Sequence, residues 1–348
     1  MKKLIAVLLL ISLLLAGCGS VKKSDSAPSP TLALVTPEPI KTPEPTPEPT
    51  PEPTPPPYVD ADGNFELYGV QMNLDDEVIM LSHVPVDDNG EKLLEVLPFM
   101  PNLKGIDMDS CGVDDEHMSV IRDARPDVSV VWRIWFGNNK MYSVRTDVEK
   151  ILASNPGYDY CWGINASNSQ GLKYCTKVKY LDLGHMVELE DISFCQYMPD
   201  LEIAILAMSL WTDATPLSYC KKLEYAELQT SGLSDLTPLA ECTNLKHLNI
   251  CYCASIWDIS PLYDLPLERL WIGVFDPVSS DQIEEFKRRN PDCVVNTTAV
   301  DPTTEDWRYT TDEYGNKGID PYYKHLRYVF EYNTAPLCYS YYENDPMR

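Results

Sequence analysis

Basic residues are scarce in this chain. Lys and Arg number 28 against 53 Asp and Glu, so 348 residues carry a formal charge of −25. Such a surface repels phosphate backbones, which excludes nucleic acid as a partner class and disfavours adsorption to anionic lipid surfaces. Two readings of the acidic excess stay open: solubility of an exported protein, or attraction of a cationic partner. Histidine is scarcer still. His83, His117, His185, His247 and His325 are scattered, and no G-x-S-x-G, H-E-x-x-H or phosphate-cradling glycine loop accompanies them. The chain reads as a non-enzyme, with no catalytic residue, no cofactor and no metal site. Long hydrophobic runs are also lacking. The longest, Leu4 to Ala16, is too short to span a bilayer as a helix.

What is present is a repeat. Frames opening at Val178, Leu201, Leu223, Leu245 and Leu267 begin VKYLDL, LEIAIL, LEYAEL, LKHLNI and LERLWI, with starts 23, 22, 22 and 22 residues apart. A fixed period in this range with L-x-x-L-x-L at its head marks a leucine-rich repeat solenoid. Side chains alternate along a strand, so positions 1, 4 and 6 of each frame face a core and positions 3, 5 and 7 face the concave sheet. The expected fold class is α/β: a parallel sheet on the concave face, 3-10 turns and short helices on the convex face. The convex segments SDLTPLAECTNL and WDISPLYDLPL place Asp235 and Asp258 ahead of Pro238 and Pro261, a capping residue followed by a residue suited to a helical first turn. These segments resemble the 22-residue repeats of bacterial internalins. The resemblance implies short 3-10 turns and an interaction function, and transfers no particular receptor.

The register names the surface expected to bind. Position 3 gives Tyr180, Ile203, Tyr225, His247 and Arg269; position 5 gives Asp182, Ile205, Glu227, Asn249 and Trp271. Aromatics beside polar groups are what protein interfaces and glycan sites use. Two readings stay open: a module binding a protein or glycan ligand through this face, or a structural envelope lipoprotein without a dedicated soluble ligand.

The ends are read around the array. Residues 1–18 have the order of a secretory signal peptide, and Leu15-Ala16-Gly17-Cys18 resembles the bacterial lipobox. The resemblance implies cleavage before Cys18, acyl chains such as palmitate on that residue, and an exported protein anchored to the membrane, facing outward. Residues 19–57 form a Pro/Glu/Thr-rich stalk. Its 21 residues from Pro37 to Pro57, at ~3.1 Å each in polyproline II, reach roughly 65 Å.

Residues 58–135 are expected to hold longer, helix-bearing repeats opening at Val78, Leu103 and Val128, with helices over Glu91–Met100 and Asp115–Arg125. Residues 136–177 are an irregular insert or degenerate repeat, with a helix over Thr146–Ser154 and a strand at Tyr160–Trp162. Residues 178–298 are the array, closed by a helix over Ser280–Asn290 and a strand. Residues 299–348 are a Tyr-rich cap with a helix from Pro321 to Tyr332, folding back on the last repeat. Most cysteines are expected as free buried thiols: Cys175, Cys220 and Cys242 sit three residues before a frame start, where Met100 and Met198 stand elsewhere.

Overall fold

The computed structural model describes residues 54–154, 163–304 and 306–332. The lipobox with Cys18, most of the stalk, the Tyr160–Trp162 strand and the end of the tail lie outside the described residues. A hairpin of β1 (Asn64–Leu67) and β2 (Val70–Asn73) opens the folded part. Three parallel strands follow: β3 (Val78–Met80), β4 (Gly105–Asp107) and β5 (Ser129–Val131). Between them lie α1 (Glu91–Val96) and α2 (Asp115–Ala124), the latter capped by Asp114, which accepts from the His117 amide at 2.9 Å. A second hairpin, β6 (Arg133–Phe136) and β7 (Tyr142–Arg145), leads to β8 (Lys150–Leu152). The chain then adds β9 (Tyr180–Asp182), β10 (Ile203–Ile205), β11 (Tyr225–Glu227), β12 (His247–Asn249), β13 (Arg269–Gly273), α3 (Ser280–Arg289) and β14 (Val294–Ala299). Strands β8 to β14 form one seven-stranded parallel sheet in sequence order.

The register puts Tyr180, Ile203, Tyr225, His247 and Arg269 side by side, each one repeat from the next. Beneath them Leu201, Ala204 and Leu206 are buried with Leu223, Ala226 and Leu228, and with Leu245, Leu248 and Ile250. The fold is a leucine-rich repeat solenoid. Its convex side is a stack of 3-10 turns, among them Ser193–Tyr197, Thr215–Tyr219 and Thr237–Glu241. Four of these turns are opened by an aspartate whose carboxylate accepts an amide two residues on: Asp191 from Ser193, Asp213 from Thr215, Asp235 from Thr237 and Asp258 from Ser260, at 2.7–2.8 Å. The eighth position of five frames holds a non-glycine residue in the left-handed region, Ser110, His185, Met208, Thr230 and Tyr252, and His83 matches Ser110 by strand register, with φ from 55° to 65°. The chain leaves the sheet there, and tertiary packing imposes what local sterics disfavour.

Three expectations change. Thr146–Ser154 is not a helix; it contains β8, the first strand of the main sheet, paired with β9. The Thr146 hydroxyl serves no helix end but accepts the Trp132 amide at 3.2 Å, and Asp147 pairs with Arg145. A hidden repeat therefore lies in the insert, and the sheet begins upstream of Val178. The early repeats are not spaced evenly: Val78 pairs with Gly105 and Gly105 with Ser129, steps of 27 and 24 residues in place of two of 25. The tail does not stop at the last repeat, as described below.

The eight described cysteines form no disulfide among the described residues, and all but half-buried Cys293 are buried. Several donate across the stack to a carbonyl 25 residues earlier: Cys220 Sγ to Cys195 O at 3.3 Å, Cys242 Sγ to Leu217 O at 3.2 Å and Cys253 Sγ to Leu228 O at 3.4 Å. Burial pushes the Cys220 and Cys242 thiols up to about 12, far from the reactive thiolate. Alkylation of the native protein at neutral pH, followed by peptide mapping, is expected to leave the seven buried thiols unlabelled. Denaturant without reductant should expose every one of them to label.

Candidate functional site

After β14 the chain turns back over the concave face. A hairpin of β15 (Tyr309–Thr311) and β16 (Lys317–Ile319) is followed by α4 (Pro321–Phe330). The local sequence specifies that helix. Pro321 suits the first turn, and the Asp320 carboxylate caps it by accepting the amides of Tyr322 and Tyr323 at 2.9 and 3.2 Å. Its apolar face carries Tyr323, Leu326 and Phe330, all buried.

The helix crosses the sheet. At its start Asp320 Oδ1 lies 3.0 Å from Arg269 Nη1 on β13. In its first turn the Tyr322 ring stacks flat on Tyr225 of β11, centroids 4.8 Å apart, and tilts over His247 of β12 at 4.3 Å. Near its end Phe330 meets the edge of Tyr180 on β9, and Lys150 of β8 donates to the Val329 carbonyl at 3.0 Å. Beyond it the Tyr332 hydroxyl donates to Asp182 Oδ2 at 2.6 Å.

The expected ligand columns are therefore not open to solvent. Glu227 and Asn249 are 0% exposed, Tyr225, Ile203 and Trp271 1%, Asp182 2%, Ile205 3% and His247 6%; only Tyr180 and Arg269 keep partial exposure. The physical reason is a second apolar cluster. Ile203, Ile205, Tyr225 and Trp271 from the sheet meet Trp307, Tyr323, Leu326, Phe330 and Tyr332 from the tail. Register thus placed the columns correctly as neighbours, while the inference that they face solvent is corrected. Where the tail was expected to cap only the last repeat, it spans β8 to β13.

Glu227 is the centre of the contact. Its carboxylate accepts from Trp307 Nε1 at 2.8 Å, from Arg308 Nε at 3.1 Å, from Arg308 Nη2 and from the Tyr225 hydroxyl. Burial pushes its pKa up, but the Arg308 charge and these hydrogen bonds outweigh burial, and the carboxyl is held below its usual range. Arg308 also lies over the Tyr323 ring at 5.2 Å. Arg269 lies against both Trp271 and Trp307, 4.8 and 4.7 Å from their centroids, which are themselves 5.2 Å apart. Asn249 Nδ2 donates to the Pro302 carbonyl at 2.6 Å. Trp307 and Arg308 were not singled out from the sequence. The available signal was a Trp-Arg pair, a dipeptide also present at Trp132-Arg133, standing upstream of an Asp-Pro helix start.

His247 has no hydrogen-bond partner at Nδ1 among the described residues. Tyr225, Tyr322, Arg269, Asp320 and Lys246 surround it, with Glu268 3.9 Å from Nε2. Burial, then the Arg269 charge, lowers its pKa to about 4. An undocked tail would return it towards ~6.5. Above ~6.5 both states are neutral there, and docking is unaffected. As pH falls towards 4 the open state takes up a proton that the docked state refuses, so docking weakens, by roughly 3 kcal/mol at the limit. Glu227 acts in the same direction at lower pH. Asp182, whose pKa burial raises, acts oppositely. Tryptophan emission followed from pH 7 to pH 4 is expected to report loss of the Trp307 environment, and His247→Phe should remove the upper part of that transition.

At the uncovered N-terminal end, Asp107 and Asp109 lie under arginines, with Arg145 3.0 Å from Asp107 and Arg133 2.8 Å from Asp109. Among the described residues no group of three or more His, Cys, Asp or Glu could hold a metal ion, and no helix is long and apolar enough to cross a membrane.

No family model matches the chain, and no curated protein matches it. Among solved structures it is similar to internalin C2 of Listeria monocytogenes, at 20% identity over 45% of this chain and 76% of that one, with a TM-score of 0.31. An internalin InlF from the same organism gives 14% identity over 63% and 74%, TM-score 0.31. A leucine-rich repeat protein of Leptospira interrogans gives 13% over 63% and 59%, TM-score 0.34. At these values the fold assignment rests on the strand register of the chain itself, and none of the three speaks to a ligand.

Proposed function

We propose that this protein is a binding module of the bacterial cell surface, tethered by lipid at Cys18, held off the membrane by the 19–57 stalk, and recognising a protein ligand through its concave columns. The supporting observation is the groove's present occupant. The columns of β9 to β13 accommodate a polypeptide segment built of a hairpin and a helix through ring stacking, a buried ion pair and side-chain bonds to backbone carbonyls. Those are the means by which a groove recognises a peptide. They favour a polypeptide over a glycan. Repeats of the internalin kind and a leader of the lipobox kind are consistent with it.

A second reading has one observation in its favour. Because the columns are already covered, the chain could serve as a structural envelope lipoprotein with no soluble ligand. The two readings separate when the mature protein is used to capture envelope and culture-medium proteins, and any captured partner is purified and titrated against wild type and Tyr225→Ala/Trp271→Ala. Equal affinity for both, with circular dichroism unchanged, would remove the concave face from the proposal. The anchor is tested apart: Cys18→Ala should abolish palmitate labelling and release the protein into the medium.

A further inference from the structure

The tail sits in the groove as a strap, and its chemistry describes what the groove takes. Uncovered, the floor presents the carboxylates of Asp182 and Glu227 and the amides of Gln229 and Asn249, between rings of Tyr225 and Trp271. Along the rim Glu202, Glu224 and Glu268 share a row with Lys179 and Lys246, the latter 3.3 Å from Glu224, so it is the two floor carboxylates that make the groove acidic among its rings. The complementary group is a cation beside an aromatic ring, and Trp307-Arg308 supplies both to one carboxylate.

The fit is incomplete. Gln229 Oε1 and His247 Nδ1 are buried without a hydrogen-bond partner among the described residues. Each is a desolvation cost that a different occupant could relieve. The strap's outer side is bare: every residue of β16 is exposed, β15 is exposed at both ends, and Tyr314 and Tyr328 are 80% and 81% exposed. An element held on one side only belongs to the part of a structure that opens before the rest.

We infer that the concave groove receives in trans a polypeptide segment presenting an aromatic residue next to an arginine, and that residues 306–332 are its resident competitor, displaced when that segment enters. This rests on the concave-face reading above and adds to it the partner's chemistry and the step that admits it. A resident competitor lowers apparent affinity by the fraction of time the groove is open. Removing the strap's anchor residues should therefore tighten binding in trans.

The probe is a fluorescent peptide with the sequence of residues 306–332, titrated by anisotropy into the full chain. Trp307→Ala/Arg308→Ala in the chain is expected to bind it at least tenfold more tightly than wild type. A peptide carrying the Arg308→Glu change is expected to bind at least tenfold more weakly than the unaltered peptide. Equal affinity of both chains, or of both peptides, overturns the inference. Should the double variant lose its native circular dichroism, hydrogen exchange on the wild-type chain decides: saturating peptide should speed exchange in α4 and leave β10 to β12 unchanged, and no change in α4 overturns the inference. If a purified partner still depends on Tyr225 and Trp271 while the peptide never displaces the strap, the concave-face reading survives and this inference alone falls.

Discussion

Arg308→Ala is expected to release the tail from the groove while leaving the solenoid folded. The substitution strips Glu227 of its cation where the carboxylate is 0% exposed and the guanidinium side chain only 17% exposed. Leaving one member of a buried pair uncompensated costs about 3–5 kcal/mol. The protein need not bear that full cost, because the tail can leave and Glu227 can hydrate. The loss is therefore capped by the free energy of docking and should be local. Native-state hydrogen exchange should show α4 losing protection by about a hundredfold, the equivalent of ~3 kcal/mol, with β10 to β12 little changed. Arg308→Lys should recover only part, since an ammonium keeps the charge but cannot span both carboxylate oxygens. If α4 keeps its protection in Arg308→Ala, the ion pair is not what holds the strap.

Leu228→Ala is expected to have the opposite character, a loss of global stability. Leu228 is 0% exposed in the frame that opens at Leu223 and lies under β11, the middle strand of the sheet. Truncating a fully buried leucine costs about 2–5 kcal/mol, the spread reflecting how far the cavity closes. Repeats in a solenoid stabilise only their neighbours, so a weak central repeat uncouples the two halves and lowers cooperativity as well as midpoint. A urea titration should show an earlier and broader transition. Leu210→Ala, at a residue 57% exposed in the preceding repeat, should change the unfolding free energy by no more than about 0.5 kcal/mol. Equal effects at both positions would mean that the leucine period does not report the core.

The contrast between these substitutions follows what could be read from the chain. Core positions such as Leu228 were legible because the same residue type returns at a fixed interval, and the strand ladder pairs the predicted columns residue for residue. The helices at Asp115 and Ser280 were legible from the Pro-Asp pair that ends each, Pro126-Asp127 and Pro291-Asp292. The strand at Lys150–Leu152 was not. Its repeat is 30 residues from the next, long enough to break the count, and Thr146 imitated a helix cap.

The site divides in the same way. Which side chains share the concave face followed from alternation alone. Whether that face is open did not, since Trp307 and Arg308 meet Glu227 across 80 and 81 residues without periodicity. By itself the sequence determined the solenoid, because alternation inside a 22-residue frame leaves one arrangement that buries positions 1, 4 and 6 together. Only the tertiary structure decided what covers the sheet. A carboxylate in a column of rings reads equally as an open ligand contact or as half of a buried ion pair, and its partner is chosen by how the tail packs in space.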